Sequence, residues 1–353
     1  MATILALAYY VFDKLFSQNG VYNFLIGARG LGKTYGIKKW VIKQGMEKGD
    51  EFIYLRRYKE ELKTAKQSFF ADVCVEFPDY DFRADRHYAQ YSHISKRDDK
   101  KREWITIGYF MALSTAQSQK SVAFPKVKTI IFDEFIIEKG MVHYLPSEAE
   151  AFTNFFSTVD RNKDKTRAFF LANSATIDNP YFVKYEIEPK EDQEWIKKFP
   201  VRTQNGNMRP FIVCHFADSE EFKAGVYKTA FGQFIAASDP DYAAYAVGNE
   251  FRDNNDNLLK LKNSEAGYSY SIETYGGIFS VWIDWTNRKY YIQQKRPKNE
   301  LLFTLLPERM AEGKKLLFKN DPQIQMLRSA FKSEKVYFDK AQSRQAFLKI
   351  FAQ

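Results

Sequence analysis

Cysteine is nearly absent: the 353 residues carry two, Cys74 and Cys214, far apart and each inside an otherwise apolar stretch. That excludes a disulfide framework and fits buried thiols in a reducing compartment. Histidine is scarce too, and His87, His93, His143 and His215 make no metal-ligand spacing with cysteine or carboxylate, so no structural zinc is expected. No apolar run reaches the roughly 20 residues of a membrane span. Residues 1–12 are apolar but stop at Asp13 and Lys14 with no basic segment before them, which reads as a packing element. A guanine-reading Asn-Lys-x-Asp sequence is also missing. The chain is long enough for two domains and a sizeable core. Its formal charge of +9 and pI near 9.1 suit an acidic polymer as partner. Aromatic residues make up 17% and are spread along the whole chain, as expected of core rather than of base-stacking platforms.

What is present begins at Gly27-Ala28-Arg29-Gly30-Leu31-Gly32-Lys33-Thr34, a complete G-x-x-x-x-G-K-[ST] pattern. The apolar run Val21-Tyr22-Asn23-Phe24-Leu25-Ile26 before it reads as a buried strand, and the proline-free residues 35–46 after it read as a helix. In that setting the loop N–H groups and the helix N-terminus face phosphate oxygens. Lys33 reaches the β- and γ-phosphates, and the Thr34 hydroxyl holds Mg²⁺. ATP and Mg²⁺ are therefore the expected cofactors.

A second apolar strand, Val127-Lys128-Thr129-Ile130-Ile131-Phe132-Asp133-Glu134, ends in adjacent carboxylates. Asp133 is expected in the Mg²⁺ shell with Thr34, and Glu134 as the group that polarises the attacking water. The 100 residues separating Lys33 from Asp133 exceed one crossover and leave room for an extra strand between the two motif strands. This predicts an α/β fold of the additional-strand, catalytic-glutamate (ASCE) class with a mostly parallel sheet. Residues 147–159 read as a helix with Ser147 as N-cap and Glu148 and Glu150 in its first turn. It delivers Asp160-Arg161-Asn162-Lys163 ahead of a strand at 167–171, so Arg161 either enters a neighbouring subunit's nucleotide site or is a solvated basic turn. Asn173 orients the attacking water or simply forms a turn.

Residues 51–57 read as a further buried strand, ending in Arg56 and Arg57 at the carboxyl edge, where open α/β sheets bind ligands. A helix over 59–75 is closed by Pro78. Segments 87–95 and 103–108 flank Lys96-Arg97-Asp98-Asp99-Lys100-Lys101-Arg102 as a hairpin with a charged tip, and 109–114 gives another strand. Prolines at 180, 189, 200 and 210 mark the close of a first domain whose last strand is 211–216. The expected division is an ATPase domain over 1–216, a helical linker over 217–250 and a small α+β domain over 251–353. The last has short strands at 258–262, 268–274, 279–285 and 289–293, then helices at 321–331 and 339–351. Asp284, with Glu273 as a possible companion, is a candidate carboxylate for a two-metal nuclease, although no spacing singles out a set.

Phe24 to Thr34, Phe52-Ile53-Tyr54-Leu55-Arg56-Arg57-Tyr58-Lys59, Thr129-Ile130-Ile131-Phe132-Asp133-Glu134-Phe135 and Asn179-Pro180-Tyr181-Phe182 occur in an order and spacing that resemble the packaging ATPases, or encapsidation proteins, of small short-tailed phages with protein-primed genomes. The resemblance implies a terminase-like motor: a homo-oligomeric ring that drives double-stranded DNA through the portal of a prohead, with a packaging RNA in the complex. Such a protein works in the host cytoplasm and transiently on the prohead, without a membrane. It also implies an RNase H-like, nuclease-like C-terminal domain that has lost its active site. By motif, the family's trans-acting arginine falls on Arg161, here directly preceded by Asp160 where an apolar or neutral residue is expected. Lys120 matches another basic position near the subunit boundary, and Arg29 matches an arginine that larger packaging motors carry in the loop, acting in cis, sensing nucleotide or serving structure alone. Lys96 to Arg102 and Lys126 to Lys128 are candidate DNA contacts or solvated basic faces. The rival readings are a P-loop ATPase for phage assembly or export, which normally needs a membrane anchor, and a nucleotide-gated DNA or capsid tether, against which Glu134 argues.

Overall fold

The computed structural model describes residues 9–100, 102–119, 123–138, 143–174, 176, 179–187, 194–249, 259–274, 277–295, 301–307, 310, 314–318, 320–333, 335–339, 343–344 and 347. It falls into two compact units, one drawn from Met1–Tyr181 and Ile187–Arg252, the other from Phe182–Glu186 and Asp253–Gln353.

The chain runs α1 (Asp13–Phe16), β1 (Tyr22–Gly27), α2 (Lys33–Lys48), β2 (Glu51–Arg56), α3 (Lys59–Gln67), β3 (Tyr80–Asp85), β4 (Tyr88–His93), β5 (Ile105–Ala112), β6 (Val127–Asp133), α4 (Glu148–Asp160), β7 (Arg167–Ala172), α5 (Pro180–Tyr185), β8 (Trp195–Arg202), β9 (Met208–Ala217), α6 (Glu220–Tyr227), α7 (Ala230–Ser238) and α8 (Pro240–Ala246). The strands form one sheet in the order β3-β4-β5-β2-β6-β7-β1-β9-β8. From β5 to β9 every pairing is parallel, while β3, β4 and β8 join antiparallel at the margins. The central strands are apolar nearly throughout because both faces are covered: every residue of β1 is buried. The aromatic residues fill this core, as in the Phe24–Phe170 stack (ring centroids 4.2 Å apart) and the Phe132–Phe152 stack (5.8 Å).

The strand between the two motif strands is β7, which pairs with β1 and β6 in parallel (Phe24 with Phe170, Asp133 with Leu171). The additional strand thus follows Asp133 in sequence. The 100 residues before Asp133 hold β2 to β5 instead, so the long separation reflects strands added at the far side of the sheet. Residues 109–112 are not a separate strand but the second half of β5, and residues 113–114 open a 3-10 turn. The helix expected over 59–75 stops at Gln67. Ser147 has a left-handed backbone (φ 50°) and makes no side-chain cap. Strands β3 and β8 escape the sequence reading: they are half-exposed edge or near-edge strands without clean alternation, and β8 contains Pro200, which an edge strand tolerates. Helices α6 to α8 occupy 220–246, begin with side-chain caps from Ser219, Thr229 and Asp239, and belong to the first unit.

The second unit contains β10 (Gly267–Thr274), β11 (Gly277–Asp284), β12 (Lys289–Gln293), β13 (Leu302–Thr304), β14 (Lys314–Leu316), α9 (Pro322–Lys332) and β15 (Val336–Phe338), with sheet order β14-β13-β10-β11-β12-β15. An antiparallel meander β10-β11-β12 is followed by β13 and β14, which extend it parallel to β10; this is the strand arrangement of RNase H-like domains. β15 adds in parallel to β12. Ile272, Phe279, Val281, Ile292, Leu327 and Phe338 form its core. Residues 259–262 contribute a single bridge, Leu259 to Phe338, and not a strand. Most of the helix expected over 339–351 lies outside the described residues.

Candidate nucleotide site

Four parallel strands, β1, β2, β6 and β7, end side by side at the carboxyl edge of the large sheet, and each delivers part of one site. After β1, Gly30 and Gly32 take φ of 81° and 83°, which disfavours any side chain, and the loop curls into the N-terminus of α2. Lys33 lies back across its own loop. Its Nζ donates to Gly27 O (2.7 Å), Ala28 O (2.8 Å) and Asn173 Oδ1 (3.2 Å). Burial lowers its pKa to about 7, opposed by the charge of Asp133. Phosphate oxygens would restore the charged form. Nucleotide binding near pH 8 is therefore expected to take up a proton, and uptake should vanish below about pH 6, where the lysine is charged in both states. Calorimetry in buffers of different ionisation enthalpy checks this; binding without uptake near pH 8 would contradict it.

The carboxylate of Asp133, at the tip of β6, is pinned from three sides. Thr34 Oγ1 donates to its Oδ1 at 3.1 Å, and Tyr54 Oη (2.7 Å) and Arg56 Nη1 (3.4 Å) donate to Oδ2. Glu134 follows with a left-handed backbone (φ 57°), and its side chain, 66% exposed, opens to the cavity. Arg56 Nη2 holds its Oε2 at 2.5 Å. The cavity, of about 410 Å³, is lined among others by Arg29, Lys33, Thr34, Asp133, Glu134 and Asn173. Asn173 Nδ2 also donates to Glu138 Oε1 (2.9 Å).

Arg57, which the sequence pairs with Arg56, follows the end of β2 and, although it borders the cavity, is engaged differently. It makes a buried fork with Glu148 (Nε to Oε2 2.7 Å, Nη2 to Oε1 2.9 Å) and donates to Phe135 O (2.7 Å). Its task is to hold the backbone that follows the acidic pair. Arg29 is largely exposed, with its guanidinium 3.9 Å from Glu138, and its N–H donates to Ala246 O at the end of α8 (3.1 Å). Three residues of the site were missed in the sequence. Tyr54 had a readable signal, since strand alternation puts it on the same face as Arg56. Glu138 and Tyr245, joined by a 2.6 Å hydrogen bond, had none.

Arg161 stands at the other edge of the sheet, where α4 ends beside the start of β7, and does not line this cavity. The acid before it is explained by the turn it builds. The Asp160 carboxylate accepts the N–H groups of Lys163 (3.0 Å), Asp164 (3.1 Å), Lys165 (3.0 Å) and Thr166 (2.9 Å), so it faces inward and leaves the arginine at the exposed corner. Lys120 lies outside the described residues. At the charged hairpin tip, Arg97 (2.5 Å) and Arg102 (2.6 Å) both bind Asp81. Those two cations fasten the tip to β3. In the second unit Asp284 is committed to Asn263 and Asn287, whose hydrogen bonds hold its carboxyl down at about 2, and Glu273 to Lys314 (3.0 Å). Among the described residues no three metal-ligating side chains converge.

A phosphate loop, an acidic pair ending in glutamate and a strand between them define an ATPase of the additional-strand P-loop class. Residues 6–353 match the family model of the Podovirus DNA encapsidation protein (Gp16), and the chain belongs to that family. It is 33% identical over 332 residues to the DNA packaging protein of Bacillus phage B103, covering 92% of this chain and 94% of that one. To the DNA packaging protein of Bacillus phage phi29 it is 31% identical over 344 residues, 96% of each chain. In solved structures it is similar to a chain of the bacteriophage Phi-29 viral genome packaging motor assembly (TM-score 0.73, 30% identity, 98% of this chain and 99% of that). It is also similar to the N-terminal domain of the DNA packaging ATPase of bacteriophage phi29 (TM-score 0.50, 34% identity, 61% of this chain and 98% of that).

Proposed function

We propose that this chain is the ATPase subunit of a viral motor that packages double-stranded DNA into a prohead. The observation that carries the reading is the convergence of Lys33, Thr34, Asp133, Glu134 and Asn173 at the end of the phosphate loop, together with membership of the encapsidation family. ATP phosphates would lie along residues 27–34. A wider cavity beside the loop, about 650 Å³ and lined in part by Tyr9, Tyr35 and Glu76, has room for base and ribose. Mg²⁺ fits the donor set, because the Thr34 hydroxyl and the Asp133 carboxylate are hard oxygen ligands side by side at the loop. When bound it supplies charge neutralisation at the phosphates. Glu134, which Arg56 holds by one carboxylate oxygen, accepts the proton of the attacking water. Asn173 positions that water, and Arg161 completes the site of a neighbouring subunit.

In this reading residues 1–216 form the ATPase domain, 217–250 a connector and 251–353 a nuclease-like domain without catalysis of its own. The partners are duplex DNA, the portal and prohead, a packaging RNA and further copies of the chain in a ring. The site of action is the host cytoplasm and, transiently, the prohead. Among the described residues no helix is long and apolar enough to cross a membrane.

The test is Mg²⁺-dependent ATP hydrolysis against protein concentration, with and without duplex DNA, for the unmodified chain and for mixed Lys33→Ala and Arg161→Ala chains. Activity rising faster than concentration, stimulated by DNA and partly restored in the mixture, is expected. Linear activity indifferent to DNA, without restoration, would remove the shared site.

A further inference from the structure

The amino edge of the large sheet carries a second polar cavity, of about 330 Å³, whose lining includes Asn19, Lys163, Arg167, Asn207 and Arg209. Its floor is set by sheet order: Arg167 opens β7 and Arg209 lies near the start of β9, with β1 between the two strands. The Arg167 guanidinium donates to Asn19 Oδ1 in the turn before β1. The Arg209 side chain is 9% exposed, and its Nε has no hydrogen-bond partner. The carboxylate facing it, Asp164, stands 3.7 Å away and is half exposed. Burial and the charge of Arg209 both depress the pKa of Arg167, as expected of two guanidinium groups held together without a full counter-charge. Along the same edge the Lys165 ammonium, partly desolvated, is repelled by Lys128, Lys163 and Arg161 and attracted by Asp160.

Lys163, Arg167 and Arg209 take no part in the nucleotide site, and holding guanidinium groups so near one another and out of water is costly unless an anion joins them. We infer that this cup binds a phosphodiester of a nucleic-acid backbone. Guanidinium forks match the paired oxygens of a phosphate, and the Arg209 Nε is a buried donor with its bond unmade. The exposed rim, Gln204, Asn205 and Asn207 in the β8–β9 turn, offers neutral donors and acceptors suited to sugar and phosphate oxygens. Among the described residues no aromatic ring lines the cavity, so a base finds none there to stack on. The contact therefore follows the backbone without reading sequence. A free nucleotide would leave its base unheld, and a phosphate ion alone would leave the rim unused.

The experiment is fluorescence anisotropy of labelled DNA and RNA duplexes of equal length on the full chain across a salt series. Arg209→Gln and Arg167→Gln test the floor; Lys163→Glu and Asn207→Asp, at exposed positions, test the rim without disturbing the core. Each loss of a cation is expected to weaken binding of at least one duplex about tenfold and to reduce the slope of log affinity against log salt by about 1. Asn207→Asp should weaken it with no change in melting temperature. The duplex that responds identifies the source of the phosphodiester. Unchanged affinity and slope in both rim variants would overturn the inference. So would inorganic phosphate or ADP protecting Arg209 from guanidinium-directed labelling where neither duplex does. Loss of self-association with nucleic-acid binding intact would also overturn it, assigning the cup to a carboxylate of a second copy. ATP hydrolysis without nucleic acid reads the other site, so the two proposals fail separately.

Discussion

Glu134→Gln is expected to lower ATP turnover by about 10²- to 10⁴-fold while ATP still binds, because the substitution removes the proton acceptor and almost nothing else. The amide keeps the volume and the polar contact to Arg56 but cannot take a proton from water. The neighbouring anchors are untouched: Thr34 and Tyr54 still hold Asp133, and Lys33 still faces the loop carbonyls. Glu134 is two-thirds exposed, so the fold loses little. Its left-handed backbone is a fixed cost that Gln shares with Glu. The measurements are kcat under saturating Mg²⁺-ATP and equilibrium binding of a fluorescent ATP analogue. Turnover within threefold of the unmodified chain would mean that another group activates the water; lost binding would mean that Glu134 serves the phosphates or the metal. Arg56 sharpens the test, because its 2.5 Å contact holds Glu134 beside the already pinned Asp133. The resting geometry thus fixes one oxygen of the base and leaves the other open to the cavity.

The site also has a neighbour in the chain. The end of α8 and the residues after it touch the site at three points: Ala246 O accepts the N–H of Arg29, the Tyr245 hydroxyl donates to Glu138, and Asn249 Oδ1 accepts from Ser174 Oγ. Asn249 also donates to Ala217 O at the end of β9 (3.0 Å). The phosphate loop, the segment after the acidic pair and the turn after β7 therefore share one mechanical contact. None of it was legible in sequence, where 217–250 read only as a helical linker.

What was legible is local. The phosphate loop, β1, β6 and the acidic pair could be read because the chemistry needs those residue types in consecutive positions. The resemblance carried an expectation to Arg161 by the same logic of short motifs, and that residue lies outside the cavity of its own chain. The rest depends on partners distant in sequence. Asp133 meets Tyr54 across 79 residues and Arg57 meets Glu148 across 91, and no periodicity announces either pair. The additional strand was expected for a reason the topology corrects, since β7 enters after Glu134. Asp160 looked like an obstacle to an arginine finger because backbone amides carry no sequence signature. The tip over 96–102 looked like an open basic face because Asp81, which two of its arginines bind, sits on a strand the pattern did not reveal.

Glu148→Ala is expected to destabilise the first unit by about 3–5 kcal/mol, because it strands a buried guanidinium. Arg57 is 2% exposed and Glu148 is fully buried. Beyond the two bonds between them, Glu148 accepts from Leu145 N (2.8 Å) and Tyr181 Oη (3.1 Å), and Arg57 lies over the rings of Tyr144 (4.9 Å) and Phe132 (5.5 Å). Every polar atom of the pair is thus satisfied inside the protein, and removing one partner leaves the others facing an unpaired charge rather than water. Arg57→Met should cost a similar amount for the mirrored reason. The double change Arg57→Met with Glu148→Leu should cost much less than the sum, since two apolar chains of comparable volume leave no orphaned charge. Urea unfolding of the unmodified chain, Arg57→Met, Glu148→Leu and the double variant measures the coupling. If the double variant loses as much as the two singles together, the pair is not acting as a unit. If it recovers most of the stability yet hydrolyses ATP slowly, the fork's contribution lies in holding the carbonyl of Phe135, and through it the placement of Glu134, rather than in stability.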